Sequence, residues 1–446
     1  MSKLSAKYLL LSAIAMSIAA VSPAAAQFEA PFALDSHTAL AGAVAPLSVG
    51  PENLAVWSSS ANNQYYFASR TAGSWGAAVA ITNAIATSNC CVGLHPYGTG
   101  SAAFVYSSVP GTYGAEYGSG AFSTLASIPS TPPFFQSGMT FLMNTNGDAA
   151  VVGMGSDLRV VRRSAGSTTW GSPESLPTPA ILPPSPVMTV DNSAIGPTGE
   201  LVVSFHVMTS GCTAKCGLTM YAATESSPGA GWTLSKKLAL HAAGTLMASQ
   251  PFVDSLGHAG VVFVQQLGTT IQLNAAIQLK PTSGWRGPVT IASQPLRMGK
   301  RRTTMPIFGA ESDTTGHVTV VYGSGLVGIV GQNILTADGA IKTNVWTAPV
   351  TLVTGTAPNG AHFASNASGG IALAWDNVNA PISVLTRAAT GSGWGSVQTV
   401  GPSNCGSPTT ICTQMLSLDL DSAGKQRLLY NDTTTNPGKV YFTESF

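Results

Sequence analysis

The side chains able to do chemistry in this chain are few, and they fall into three groups. One is a basic run, Arg297-x-x-Lys300-Arg301-Arg302, in a chain otherwise poor in charge. Arginine offers a bidentate fork and lysine a point charge, so the run suits a ligand bearing carboxylate, sulfate or phosphate. The second group is His206 and His362, each a candidate general base, since an unperturbed imidazole titrates at about 6.5. The third is a sparse set of carboxylates, Asp35, Asp157, Asp376 and Asp432. Asp376 and Asp432 occupy comparable places in neighbouring repeats, which would permit the two carboxyls, about 5–10 Å apart, that glycoside hydrolysis requires.

Other chemistries lack their motifs. No G-x-S-x-G nucleophile elbow occurs and no G-x-x-x-x-G-K-[ST] phosphate loop. None of the cysteines has a histidine at zinc-like spacing, and no D-x-D-x-D loop is present for calcium, so no metal or cofactor is expected and calcium is conceivable only without a motif.

Composition narrows the class. Of 446 residues only 9% are charged, against about 25% in an average soluble domain, and the net charge is +1. A nucleic-acid partner steered by a basic surface is therefore excluded. With 48 Gly, 28 Pro and 44% apolar residues the chain is neither disordered nor a coiled coil, and an all-β protein fits.

The N-terminus reads as a cleavable signal. Lys3 and Lys7 precede an uncharged apolar run from Tyr8 to Val21, and Ala24-Ala25-Ala26 supplies an A-x-A site, so residues 1–26 are expected to be removed and 27–446 to form one domain. The apolar run falls short of the roughly 20 residues that span a bilayer, and no later stretch is longer, so no membrane span is expected. Export to periplasm or medium would let the six cysteines form disulfides: Cys90-Cys91, Cys212 with Cys216, and Cys405 with Cys412 are the local pairs, although other pairings stay open.

An internal repeat must position these groups. Aromatic residues in Gly/Ser/Thr-rich settings recur at Trp75, Phe122, Trp170, Trp232, Trp285, Trp346 and Trp394, at intervals of 47 to 62 residues. Between them, Asp/Asn-x-x-Gly turns join short β-rich runs at Asn144–Gly147, Asp254–Gly257, Asp313–Gly316, Asn366–Gly369 and Asp421–Gly424. The Asx side chain bonds the local backbone and Gly supplies positive φ, so each is a hairpin with a physical cause. A second aromatic series follows six residues after the turn glycine: Tyr106, Phe205, Phe263, Tyr322, Trp375 and Tyr430, with Trp57 as the first equivalent and Gly153 as the exception. A position repeated on a central strand predicts packing between units rather than a sugar-stacking surface.

The repeats count to eight four-stranded units, which predicts an all-β, eight-bladed β-propeller, with seven blades as the alternative. The last unit has only three strands, and Phe28–Leu34 is expected to complete it and close the ring, so that no sheet edge is left at the seam.

The Gly-x-Trp outer strands and Asp/Asn-x-x-Gly hairpins resemble those of secreted bacterial β-propellers in the broad sialidase-like and lectin-like group. The sialidase Asp-box does not recur, so the resemblance implies the fold rather than an activity. In a propeller the connections from second to third strand, and from outer strand to the next inner strand, emerge on one face. All six cysteines and the basic run fall in such connections. This predicts a cross-linked loop face that binds an extracellular ligand, a glycan or another small molecule, by a monomeric protein. Two alternatives stay open: a polysaccharide lyase or glycoside hydrolase working at the same face, and a scaffold for protein partners.

Overall fold

The computed structural model describes residues 27–445 except 48–49, 87–91, 109–110, 130–138, 155–156, 181, 184–185, 210–217, 242–247, 281–282, 298–302, 327–331, 357–359, 378–379, 403–412 and 435–437. Residues 1–26, all six cysteines, Lys300, Arg301 and Arg302 thus lie outside the described residues.

Among the described residues every regular element is a strand, and the strands form eight antiparallel sheets that succeed one another along the chain. The first strand of each sheet touches the first strands of the sheets before and after it, and the eighth touches the first. The eight first strands, from Ala39–Pro46 to Thr413–Leu420, therefore ring a central channel, and later strands step outward. This is an eight-bladed propeller.

The seam closes as the missing strand requires. Phe32–Asp35 pairs antiparallel with Lys439–Glu444 as the outermost strand of blade eight, Phe32 lying opposite Phe442, and Phe28 bridges Ser445. The paired segment ends one residue later than the sequence pattern predicts. Side chains reinforce the join: Arg70 of blade one donates to Glu444 at 2.5 Å and to Glu29 at 2.8 Å.

Between blades, apolar sheet faces meet. Trp57, Tyr106, Phe205, Phe263, Tyr322, Trp375 and Tyr430 are all at most 2% exposed, so the recurrent aromatics are core and do not offer a stacking surface. The hairpin turns add a polar tie on the opposite face from the long loops. Asp254 Oδ1 accepts from the N–H groups of Leu256 and His258 at 2.9 and 2.8 Å, while Gly257 takes a φ of 76° that a Cβ would disfavour. The asparagine turns also reach across: Asn144 Nδ2 donates to the carbonyls of Gly196 and Pro197 in the next blade, both at 3.1 Å, and Asn366 Nδ2 to that of Asp421 at 2.9 Å. Largely enclosed arginines complete the ring ties, Arg163 with Glu116, Arg162 with Glu225 and Arg387 with Asp338, each guanidinium also lying over a tryptophan, Trp170, Trp232 or Trp394.

Candidate functional site

In blades one, four, six and eight the innermost strand carries an irregularity that places a side chain out of the ladder. In blade six Ile307 pairs with Tyr322 and Gly309 with Val321, leaving Phe308 as an extra residue; in blade eight Leu416 is extra in the same way. In blade four, Val190 pairs with Phe205 and Asn192 with Ser204, so the extra residue is Asp191. A bulge re-aims the side chain it carries, and among these three only blade four carries an ionisable one.

Asp191 Oδ1 lies 2.6 Å from Nδ1 of His206, on the adjacent second strand, Leu201–Thr209. Both side chains are largely but not wholly enclosed, at 12% and 13% exposure. With Nδ1 engaged by the carboxylate, Nε2 is left as the working edge of the imidazole, the arrangement a general base needs. Asp191 Oδ2 is buried and has no hydrogen-bond partner among the described residues.

Around this pair runs a chain of neutral polar groups between blades four and five. Asn192 Nδ2 donates to Oε1 of Gln250 at 2.6 Å, Ser249 Oγ to Ser204 Oγ at 2.8 Å, and Ser204 Oγ to the carbonyl of Asn192 at 3.1 Å. The partly exposed carboxylate, imidazole and amides thus lie on the first two strands of blade four and the first of blade five, with the buried hydroxyls of Ser204 and Ser249 behind them.

His362 and Asp376, in blade seven, converge on a different target. Asp376 Oδ1 accepts the N–H of Met415, on the innermost strand of blade eight, at 2.9 Å, and Asp376 N–H donates to the carbonyl of Gly360 at 3.0 Å. Burial pushes the Asp376 carboxyl up to about 6 against the opposing pull of the Met415 N–H. His362 hydrogen-bonds the backbone of the same Met415, and burial holds its imidazole below the ordinary range. Asn431, which follows Tyr430 as Asp376 follows Trp375, clasps the next innermost strand likewise: it accepts the N–H of Ala39 at 2.8 Å and donates to the Ala39 carbonyl at 2.9 Å.

The remaining carboxylates are engaged locally. Asp432 sits one residue beyond Asn431 and accepts from the backbone and hydroxyl of Thr434 at 2.8 and 2.6 Å. Asp35 accepts from Trp57 Nε1 at 2.9 Å across the seam. Asp157 receives Arg159 Nε and Ser175 Oγ, both at 2.7 Å. Arg297 forms the neck of its loop, its N–H donating to Thr303 Oγ1 at 2.8 Å while its carbonyl accepts from Thr303 N–H at 3.0 Å. Lys300, Arg301 and Arg302 belong to the segment beyond that neck, outside the described residues. Among the described residues no group of three or more His, Cys, Asp or Glu is placed to hold a metal ion.

No protein-family model matches the sequence, and no curated protein does. Solved structures that resemble the chain include an α-L-arabinanase of Penicillium chrysogenum complexed with arabinobiose, at 13% identity and TM-score 0.38, over 71% of this chain and 95% of that one. Another is an ulvan lyase of a polysaccharide lyase family, at 11% identity and TM-score 0.43, over 84% of this chain and 95% of that one. A third is prolyl oligopeptidase B from Galerina marginata, at 9% identity and TM-score 0.46, over 92% and 55% respectively. The strand pairing, not these likenesses, establishes the propeller.

Sequence reading singles out His206 but passes over Asp191, its partner. The signal is faint: Val190-Asp191-Asn192 puts two polar residues together where an alternating strand would have one. That doubling is what a bulge permits.

Proposed function

We propose that the protein is exported and binds an extracellular glycan at the inner rim of blades four and five, on the face that bears the long loops. The observation that carries this reading is the Asp191–His206 hydrogen bond on a bulged innermost strand, set among Asn192, Gln250, Ser204 and Ser249. Amides and hydroxyls beside a single carboxylate–imidazole pair match the hydroxyl-rich, weakly charged surface of a sugar, and the rarity of charge in the chain agrees. Recognition of an acidic sugar would fall to the basic run Arg297, Lys300, Arg301 and Arg302, which the chain places between blades five and six. Cross-linking by Cys90, Cys91, Cys212, Cys216, Cys405 and Cys412 would hold the surrounding loops.

The same pair favours one catalytic reading, a polysaccharide lyase. His206 Nε2 would take the proton α to a uronate carboxylate while a cation from the basic run stabilises the charge that develops. The C–O bond at the β-carbon then breaks, the proton carried by His206 Nε2 passes to the departing oxygen, and an unsaturated uronide and the neutral imidazole remain. Asp191 would hold the imidazole in the tautomer this requires. A glycan array read with the wild-type protein and with His206→Gln tests binding, and absorbance of the unsaturated product tests the lyase. No bound glycan, or binding untouched by His206→Gln, removes the reading.

A further inference from the structure

A cavity lies between blades one and two, lined by residues of their second to outer strands and none of an innermost strand. It has a volume of about 790 Å³, within the range of small-ligand sites, and opens to solvent. Phe67 and Tyr106, both buried, form its floor, and the half-buried Tyr113 and Phe122 form its walls. The rings are held against one another: Tyr106 and Tyr113 stack with centroids 5.6 Å apart, and Phe122 meets Phe67 edge-on at 5.1 Å.

One lip of the cavity is an ordered departure from the sheet. In the outer strand of blade one, Val79–Ile85, Ala80 pairs with Tyr66 and Ile85 with Gln64, so residues 81–84 swing out of the ladder. Gln64 fixes that excursion from within, its Nε2 lying 2.6 Å from the carbonyl of Ile81 and 2.9 Å from that of Ala84. Asn83, at the crest, takes a left-handed φ of 63°. The exposed side chains of Thr82 and Asn83 face those of Ser123 and Thr124 on the opposite lip.

We infer that this groove is a binding site for a neutral oligosaccharide, separate from the inner rim and independent of the reading given to that rim. Three features select the occupant. The half-buried rings of Tyr113 and Phe122 on the walls accept the apolar C–H face of a sugar ring, whereas amide and hydroxyl groups at the lips meet its hydroxyls. None of the lining residues is charged near neutral pH, so nothing in the groove recognises an acidic glycan or a charged peptide. An added β-strand from a peptide needs a straight, unpaired edge, and the excursion of residues 81–84 interrupts that edge.

The test is calorimetric titration of the full mature chain with neutral hexaoses of glucose in β- and α-1,4 linkage, mannose, xylose and arabinose. At least one is expected to bind, and Tyr113→Ala is expected to weaken it about tenfold. Tyr113 also packs against Tyr106, so Ser123→Arg, an exposed change that occupies the opening, serves as the second variant and is expected to abolish binding while lowering the melting temperature only slightly, through loss of the Ser123 Oγ acceptor of the Glu116 N–H. His206→Gln is expected to leave the affinity unaltered. If no hexaose binds, if the binder ignores both groove variants, or if only a Val-Thr repeat peptide binds and Ser123→Arg removes it, the inference is overturned. Loss through His206→Gln alone would place neutral glycans at the inner rim and equally overturn the groove.

Discussion

Blades four and seven each bring a histidine and an aspartate to the inner part of the ring, and the two pairs are built for different work. In blade seven Asp376 is committed to the backbone N–H of Met415 and His362 to the same residue's backbone, so both side chains tie blade seven to blade eight. Asn431 makes the corresponding clasp from blade eight to Ala39 of blade one, which shows that the position asks for an acceptor and not for a charge. In blade four Asp191 is bonded to Nδ1 of an imidazole, and among the described residues no hydrogen bond engages the far nitrogen of His206. A carboxylate that holds the backbone is a staple, whereas one bonded to a histidine fixes which ring nitrogen carries the proton.

The largest difference between the pairs is expected in stability. Asp376→Ala strands the buried N–H of Met415 and should cost about 1–3 kcal/mol, read as the midpoint of urea unfolding. Asp376→Asn keeps a carbonyl acceptor and should come close to wild type. The pH dependence sharpens this. Burial pushes the folded carboxyl of Asp376 up to about 6, well above the ordinary carboxylate range, so its neutral form is the one the fold prefers. That contribution is full below the unfolded value and is lost as pH rises through the folded one. Asp376→Asn should therefore match wild type at about pH 4 and exceed it near neutrality. A wild-type advantage at neutral pH would mean that the charge, not the acceptor, holds Met415.

Next in size is the effect on ligand binding. His206→Gln is expected to lower the affinity for the bound glycan about tenfold or more, and His362→Gln to leave it unchanged within twofold, measured by titration on the same sample. Equal losses would erase the distinction between base and staple. Smallest is the basic run: Arg301→Ala with Arg302→Ala should weaken an acidic glycan by only a few-fold, and the loss should shrink as salt is raised, because exposed charges are screened over roughly 10 Å at 0.1 M ionic strength.

Much of the fold was legible in the residues because its causes repeat. The aromatics from Trp57 to Tyr430 and the turns from Asn144 to Asp421 recur for local reasons, burial on one sheet face and a backbone bonded to its own Asx side chain. The completing strand at the N-terminus followed from a count of three strands in the last blade. The site was less legible. His206 was visible as a residue type, but the bulge that turns Asp191 toward it is an insertion of one residue with no periodic signature. The blade-to-blade pairs were hidden because partners such as Arg70 and Glu444 come from opposite ends of the chain. The groove between blades one and two depends on Gln64 holding residues 81–84 out of register, a contact no spacing rule announces.

The account turns on which imidazole meets the ligand, and nuclear magnetic resonance of ring-labelled histidines reads this directly. As an acidic glycan identified on the array is titrated in, the ring signals of His206 are expected to shift in proportion to saturation while those of His362 stay fixed. Movement of His362 with His206 unchanged, or saturation that moves neither ring, would contradict the assignment of the site to blade four.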